Sequence, residues 1–195
     1  MSRYVEVVDA EALRERAAQL GEAIAADYGA RRPLVVAVLK GAVPFLIDLT
    51  RHLPPDIEID FLSLTRFGTQ GRVGIALDVS VPVAGRDVLV VEDIVDTGLT
   101  LATLRRIFTA RGARSVRTVA LLDKRPRRIV DVPVEYRGFE VGDEFLLGYG
   151  LDWQGRYRNL PSIWAVMDFP AFRDDPKTFD ALVFPTAARS QRSRP

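Results

Sequence analysis

The chain has 195 residues, of which 48% are hydrophobic and 27% charged, an ordinary composition for one globular domain that buries a core. The net charge of +1 argues against a protein that coats nucleic acid, because such a protein needs a broad excess of Lys and Arg. With no Cys and a single His, His52, the chain has no disulfide, thiolate nucleophile or multi-His metal site, so any metal must be bound by oxygen ligands, which favours Mg²⁺, Mn²⁺ or Ca²⁺.

Apolar patterning along the chain predicts strands that alternate with helices. Apolar residues spaced by three or four over 10–28 predict an amphipathic helix capped by Asp9 and ended by Gly29. Continuous apolar runs such as 34–39 predict strands covered on both faces. In chain order, the predicted elements are helix 10–28, strand 34–39, helix 43–53, strand 57–64, strand 88–91, helix 99–111, strand 116–122, and short strands 145–147 and 163–167. This alternation predicts an α/β fold with a mostly parallel sheet flanked by helices.

Three stretches differ from this pattern. Residues 66–80 carry several glycines among polar residues, which predicts a mobile loop or a loose hairpin. The segment 186–195, TAARSQRSRP, lacks apolar anchors and is expected to be disordered. The first residues contain no apolar segment typical of a signal peptide, and no apolar run approaches the about 20 residues that span a bilayer, so a cytoplasmic location is expected.

The most informative segment is VLVVEDIVDTGLT at 88–100. Its apolar run leads directly into a set of polar residues and glycine: Glu92, Asp93, Asp96, Thr97, Gly98 and Thr100. Ligands bind at the carboxyl ends of parallel strands, and a glycine before a helix lets the backbone approach a phosphate group. Glu92 and Asp93 would supply oxygen groups for a Mg²⁺–phosphate complex or for sugar hydroxyls. By spacing alone, an acidic helix N-cap with no ligand remains an alternative.

This segment resembles the signature of type I phosphoribosyltransferases that binds phosphoribosyl pyrophosphate (PRPP). LKGAVPF at 39–45, LLDKRPRR at 121–128 and FLLGYGLDWQGRYRNLP at 145–161 are similar, in order and spacing, to segments of hypoxanthine-guanine phosphoribosyltransferases, and the similarity extends over about residues 5–168. The resemblance implies a twisted sheet in a single domain over 1–180, with a small hood formed by the terminal segments. It also implies Mg²⁺-dependent transfer of the phosphoribosyl group to hypoxanthine or guanine, giving IMP or GMP and pyrophosphate, in a homodimer or homotetramer.

The same resemblance implies roles for individual residues. Asp96 matches the general base that handles the proton on purine N7. The residues that match contacts to PRPP or pyrophosphate are Lys40, Gly41, Glu92, Asp93, Asp96, Thr97, Gly98, Thr100 and Arg158. Those that match purine contacts are Lys124, which donates to O6, Phe145, which stacks on the base, Leu146 and Asp152. The implied Mg²⁺ ligands are Glu92, Asp93 and Asp152.

Other residues near these motifs are given structural roles or leave questions open. Trp153 and Tyr157 are expected to pack around their loop, and Phe145 is alternatively an ordinary core residue of its strand. The arginines after Lys124 are expected to be solvated charges or subunit contacts: Arg125, Arg127 and Arg128. His52 is expected to lie on the surface.

The mobile loop departs from the family pattern, and two rival functions stay open. Where the family usually carries Ser-Tyr, this chain has Arg66-Phe67, so the tyrosine hydroxyl is lost and Arg66 is a candidate to replace its contact with pyrophosphate. One rival is a regulator with this fold that senses PRPP or nucleotides without catalysis. The near-neutral charge and the complete set of purine-contact residues argue against it. The other rival is an enzyme of narrower base choice, such as xanthine or guanine only.

Overall fold

The computed structural model describes residues 2–67 and 72–184, except for the side chains of residues 66, 67, 72 and 73. Its strands are β1 (Tyr4–Val8), β2 (Leu34–Leu39), β3 (Glu58–Phe67), β4 (Arg72–Leu77), β5 (Asp87–Val95), β6 (Ser115–Asp123), β7 (Tyr136–Glu140), β8 (Phe145–Leu147) and β9 (Ile163–Val166). Its helices are α1 (Ala10–Tyr28), α2 (Val43–Thr50), α3 (Leu99–Ala110), α4 (Phe169–Asp174) and α5 (Lys177–Val183). A short 3₁₀ turn covers Arg125–Arg127.

The main sheet has six strands in the order β4-β3-β2-β5-β6-β7. All neighbouring strands in it are parallel except β4, which pairs antiparallel with β3 at the edge. Alternate residues of the central strands enter two separate cores. Leu89 and Val91 pack with α1 and α2, whereas Val88 and Val90 pack with α3 on the opposite face. The predicted α/β fold with a mostly parallel sheet flanked by helices is therefore confirmed.

The longest helix, α1, begins and ends where its sequence predicts. The Asp9 side chain accepts hydrogen bonds from the backbone N–H groups of Glu11 and Ala12, which would otherwise lack partners at the helix start. Gly29 follows the helix with φ 56°, a conformation that glycine adopts readily. Within the described ranges, no helix is long and apolar enough to cross a membrane.

A second, three-stranded antiparallel sheet has the order β1-β9-β8. Both ends of the chain contribute to it, because β1 comes from the amino-terminal residues and β9 from the region before α4. The helices α4 and α5 cover it with a cluster of aromatic side chains that includes Tyr4, Phe172 and Phe179. We call β1, β8, β9, α4 and α5 together the hood.

The structure also differs from the predicted element boundaries. Helix α2 ends at Thr50 rather than at 53, and β5 continues through the acidic pair as far as Val95. The hairpin of β3 and β4 occupies part of 66–80, and residues 68–71 at its tip lie outside the described ranges. The sequence analysis missed β1, β7, α4 and α5, because they are short and, in β1 and β7, carry charged residues at exposed positions.

Candidate active site

The loop between β5 and α3 lies at the carboxyl edge of the main sheet. Gly98 immediately precedes the helix with φ 83°, and a side chain there would also collide with the Val130 carbonyl and the Arg128 side chain. Glycine is therefore required both for the backbone conformation and for the close approach. Gly98 has no side chain to cap α3, and the Thr97 hydroxyl accepts only a long hydrogen bond, 3.4 Å, from the Leu99 N–H. An anion can therefore compete for the first N–H groups of the helix, where the positive end of the helix dipole would favour it.

A cavity of about 260 Å³ opens over this loop. It is lined by Glu92, Asp93, Ile94, Val95, Asp96, Thr97, Gly98, Thr100 and Leu101. All six residues that the sequence analysis selected from this segment are among them. We call it the phosphate-side cavity, because its backbone geometry and hydroxyl groups suit a phosphate ester.

The paired acids at the end of β5 are held in a costly electrostatic state. Glu92 is buried, and its pKa is raised well above the usual value by burial and then by the charge of Asp93. Burial raises the pKa of Asp93 to about 6, although N–H donors at its own residue and Ile94 and the charge of Arg158 oppose the shift. Two adjacent carboxylates with so little compensation would be stabilised by a cation between them and a ligand.

Three loops converge beside Asp93. The peptide bond between Leu39 and Lys40 is cis, and Gly41 follows it at the end of β2. A side chain at Gly41 would collide with the Asp93 carboxylate, and one at Gly150, where φ is 100°, would collide with the Gly41 carbonyl. Glycines at these two positions thus let the loop after β2 and the loop after β8 meet at the acidic pair.

The loop after β8 carries Asp152 and Arg158, which contact one another. An Arg158 guanidinium nitrogen lies 2.6 Å from Asp152 Oδ1, and another donates to the Gly150 carbonyl at 2.6 Å. The second Asp152 oxygen accepts a hydrogen bond from the Gly155 N–H at 2.7 Å. The charges of both side chains act on Asp93, so both lie near the acidic pair. Arg158 must leave Asp152 or share its donors to bind a ligand.

A second cavity, of about 300 Å³, adjoins the first. It is lined by Asp93, Ile94, Asp96, Lys124, Phe145, Leu146, Leu151 and Asp152. The four predicted purine-contact residues all line it, and we call it the base-side cavity. The sequence analysis missed Ile94 and Leu151, which form its apolar walls. Ile94 lies between Asp93 and Asp96 in the sequence, and a ring ligand bound beside these acids needs an apolar surface. Its position could therefore have identified it as a base contact.

Lys124 lies at the bottom of the base-side cavity, at the end of β6. Its ammonium group donates to the Glu144 carbonyl at 2.6 Å, and burial lowers its pKa. The preceding residue, Asp123, is buried and ion-paired to Arg128 and to Arg137, whose Nε lies 2.8 Å away but is not aligned as a hydrogen bond. These contacts fix the strand end that carries Lys124.

Phe145 is positioned both to contact a base and to pack in a core, the two roles that the sequence analysis left open. It lines the base-side cavity and also belongs to the aromatic cluster of the hood. Its ring centroid lies 4.6 Å from that of Phe169 and 5.7 Å from that of Trp153, which it meets edge-on. Trp153 and Tyr157 pack in the same cluster, in agreement with their predicted structural role.

The expectation that the arginines after Lys124 are solvated charges was wrong for Arg128, whereas Arg125 and Arg127 are exposed as expected. Arg127 donates to Asp96, which lines the base-side cavity, at 2.8 Å and to Asp143 at 3.0 Å. Arg128 is largely buried and pairs with Asp123. Arg125 is exposed, as is His52. The side chains of Arg66 and Phe67 lie outside the described part of the structure, so the question raised by this departure from the family pattern stays open.

Comparisons with known proteins identify the family of this chain. A family model for the phosphoribosyl transferase domain matches residues 4–154. The chain is 42% identical over 161 residues to hypoxanthine-guanine phosphoribosyltransferase of Bacillus subtilis, a match that covers 80% of this chain and 89% of that protein.

Solved structures extend the similarity to the fold. A crystal structure of hypoxanthine-guanine phosphoribosyltransferase from Bacillus anthracis is 41% identical with a TM-score of 0.80, covering 83% of this chain and 98% of that one. A hypoxanthine phosphoribosyltransferase from Staphylococcus aureus is 34% identical with a TM-score of 0.80, covering 83% and 90%. The chain therefore belongs to the hypoxanthine-guanine phosphoribosyltransferase family.

Proposed function

We propose that this protein transfers the 5-phosphoribosyl group from PRPP to hypoxanthine or guanine, giving IMP or GMP and pyrophosphate in purine salvage. The observation that carries the proposal is the junction of two cavities with different chemistry. The phosphate-side cavity has a glycine turn at a helix start, and the base-side cavity has a buried lysine and an aromatic ring. Asp93, Ile94 and Asp96 line both, so a ribose between them would present C1′ to a base.

PRPP would lie along the phosphate-side cavity. Its 5′-phosphate would accept hydrogen bonds from Thr97, Thr100 and the N–H groups that begin α3. Glu92 and Asp93 would contact the ribose hydroxyls. Its pyrophosphate would lie against the backbone of Lys40 and Gly41, and two observations favour this position. The loop after β2 meets the acidic pair there, and Arg158 stands across from it.

The carboxylates fit Mg²⁺ only together with substrate oxygens. Within residues 2–67 and 72–184, no three His, Cys, Asp or Glu side chains come together as a metal site. The acidic pair, with raised pKa values, and Asp152 would therefore each offer a partial ligand set that PRPP completes. Bound Mg²⁺ would neutralise charge on the departing pyrophosphate. Arg158 would do the same from the opposite side, after exchanging its bond to Asp152 for phosphate oxygens.

The base-side cavity would select 6-oxopurines. The Lys124 ammonium has three protons and uses one of them on the Glu144 carbonyl, so it retains donors for purine O6. Adenine would present an amino group there and leave that buried donor unpaired. Phe145 would stack on one face of the ring, and Ile94 would contact the other.

Asp96 would handle the proton released as the base reacts. Purine N9 forms a bond to ribose C1′ while the bond from C1′ to the pyrophosphate oxygen breaks. The proton on N7 then has to leave, and the Asp96 carboxylate stands between the two cavities to accept it. The transition state at C1′ carries positive charge, which the acidic residues around the ribose would stabilise.

Further parts of the proposal concern closure, assembly and location. The loop around Arg66 and Phe67 would close over the reactants to exclude water, with Arg66 in place of the family's tyrosine hydroxyl. A single domain over 1–180, assembly as a homodimer or homotetramer, and a cytoplasmic location follow from the family resemblance. The segment 186–195, which the sequence predicts to be disordered, lies outside the described residues.

A spectrophotometric assay tests the function directly. Purified protein is mixed with PRPP, Mg²⁺ and, separately, hypoxanthine, guanine, xanthine or adenine. We expect turnover with hypoxanthine or guanine and none with adenine. Activity should vanish in EDTA and return when Mg²⁺ or Mn²⁺ is added. Full turnover in the chelator would contradict the metal assignment, and PRPP binding without turnover of any base would favour the regulator.

A further inference from the structure

Arg127 connects two parts of the site that are distant in sequence. Its Nε donates to Asp96 Oδ1 at 2.8 Å, and its Nη1 donates to Asp143 Oδ1 at 3.0 Å. Asp96 belongs to the loop after β5, and Asp143 belongs to the segment that enters β8 of the hood. A single guanidinium thus joins the phosphate-side loop to the strand that supplies Phe145.

The backbone places this arginine firmly. The 3₁₀ turn begins directly after Lys124, and the Arg127 N–H donates to the Lys124 carbonyl at 3.0 Å. The next residue, Arg128, is anchored by Asp123 and by the Val132 carbonyl. The turn is therefore held from both sides, and its last residue, Arg127, reaches Asp96, which lines the base-side cavity.

We propose that Arg127 is a positioning residue that orients the Asp96 carboxylate for proton transfer. This inference rests on the proposed function. Arg127 Nε holds Oδ1 of Asp96. The second oxygen, Oδ2, has no hydrogen bond within the described residues and is available to purine N7. A carboxylate free to rotate would present this oxygen only part of the time, and small misplacements of a reacting group cost much of the rate.

The contact with Asp143 extends the same role to the base. Asp143 immediately precedes Glu144, whose carbonyl accepts the Lys124 hydrogen bond, and Phe145 follows. By holding Asp96 and Asp143 at once, Arg127 sets the distance between the group that accepts the N7 proton and the groups that bind O6 and the ring face. The tether therefore aligns the base with its proton acceptor.

A structural role alone would give a different signature. The Arg127 and Asp96 side chains are 47% and 45% exposed, and ion pairs this exposed contribute little to stability. Replacing Arg127 should consequently leave the melting temperature nearly unchanged while it lowers kcat. Arg125 provides a matched control, because it lies in the same turn, is exposed, and forms no ion pair within the described residues.

The test is a double-mutant cycle in the full-length protein. We expect Arg127→Gln to lower kcat roughly 5- to 50-fold with the KM for PRPP changed less than about twofold, and Arg127→Lys to recover part of the rate. Arg125→Gln should retain the wild-type kcat. In an Asp96→Asn background, Arg127→Gln should lower kcat by less than about twofold more, because the group it orients is already disabled.

Each other outcome overturns the inference. A wild-type kcat in Arg127→Gln would show that Asp96 needs no tether. A full loss added on top of Asp96→Asn would show that Arg127 acts on something else. If Asp96→Asn itself turns over at the wild-type rate, the proposed role of Asp96 fails and the positioning role fails with it. The first two results leave the proposed function intact, so the two failures are distinguishable.

Discussion

The two cavities of the site are built in different ways. The phosphate-side cavity comes entirely from one continuous stretch, from Glu92 to Leu101, at the end of a strand buried between two cores. The base-side cavity is assembled from β5, the end of β6, the hood strand β8 and the loop after it. One side is a local structure, and the other exists only after the hood has docked on the main sheet.

This difference teaches where each side is vulnerable. The phosphate side depends on backbone geometry, and the conformation of Gly98 sets the turn that would bind the phosphate. The base side depends on tertiary contacts, because Phe145 is held by hood aromatics such as Phe169 and Trp153. Part of that support comes from α4 and α5, which lie beyond the residues matched by the family model. Damage to the hood should therefore reach the base side first.

The largest expected effect is at Asp96, which lines both cavities. Asp96→Asn keeps the shape of the side chain but removes its ability to accept a proton. Groups of this kind contribute about 10²–10⁴-fold, and we expect kcat to fall within that range. PRPP binding, followed by calorimetry in the absence of base, should change little. A near-wild-type kcat would mean that another residue is the general base, and that Asp96 does not connect the two cavities functionally.

The next largest effect isolates the phosphate-side backbone. In Gly98→Ala the new side chain meets both an unfavourable φ of 83° and the Val130 carbonyl. We expect the KM for PRPP to rise at least about tenfold, because shifting the turn moves the N–H groups that bind phosphate. Initial rates at varied PRPP concentration measure it.

Gly85→Ala is the matched control for Gly98→Ala. Gly85 has a similar φ of 74°, but a side chain there meets nothing within 4 Å, and the residue lines neither of the two cavities. It should lose about 1 kcal/mol of stability from backbone strain with the KM for PRPP unchanged. Equal effects of the two substitutions on KM would mean that local strain, rather than the phosphate turn, is being measured.

The same contrast explains how much the sequence could predict. The phosphate side was readable because its residues are consecutive and follow an apolar run, and the residues selected there all line one cavity. On the base side, Lys124 and Phe145 were found by resemblance alone, and Ile94 and Leu151 were missed. Arg127 is exposed as expected, but nothing local in the sequence shows that it will meet Asp96 and Asp143. Those contacts depend on how the hood docks.

A third prediction concerns stability at the phosphate side, because its charge is unfavourable without ligands. Burial raises the pKa of Asp93 from 3.8 to about 6, so keeping it ionised destabilises the folded state fully above about pH 6 and not at all below 3.8. In the absence of Mg²⁺ and PRPP, Asp93→Asn should therefore be more stable than wild type at pH 8. We expect about 1–2 kcal/mol, less than the full shift implies, because Asp93 is partly exposed.

The pH dependence of that difference is the decisive measurement. Thermal melts of both proteins between pH 8 and pH 4 should show the advantage of Asp93→Asn shrinking as the pH falls through about 6, since Asp93 becomes protonated in the folded wild type. Activity should be lost across the whole range. A constant difference at every pH would mean that the substitution acts through packing, and the phosphate side would not be electrostatically strained.

The smallest expected effect tests whether helix α5 of the hood supports Arg158, the proposed pyrophosphate contact in the loop after β8. Tyr157, adjacent to Arg158, donates its hydroxyl hydrogen bond to Asp180 of α5 at 2.8 Å. Tyr157→Phe should lose about 1 kcal/mol of stability, the usual worth of such a bond, and raise the KM for PRPP about two- to threefold by loosening Arg158. The control, Tyr136→Phe, removes a hydroxyl that donates to Asp27 at 2.9 Å and accepts from Arg117 at 2.9 Å, at a residue that lines neither cavity. It should lose at least as much stability with the KM for PRPP unchanged. If the two variants shift the KM for PRPP equally, α5 steadies the hood without reaching Arg158, and the contact of Arg158 with pyrophosphate would not depend on the hood.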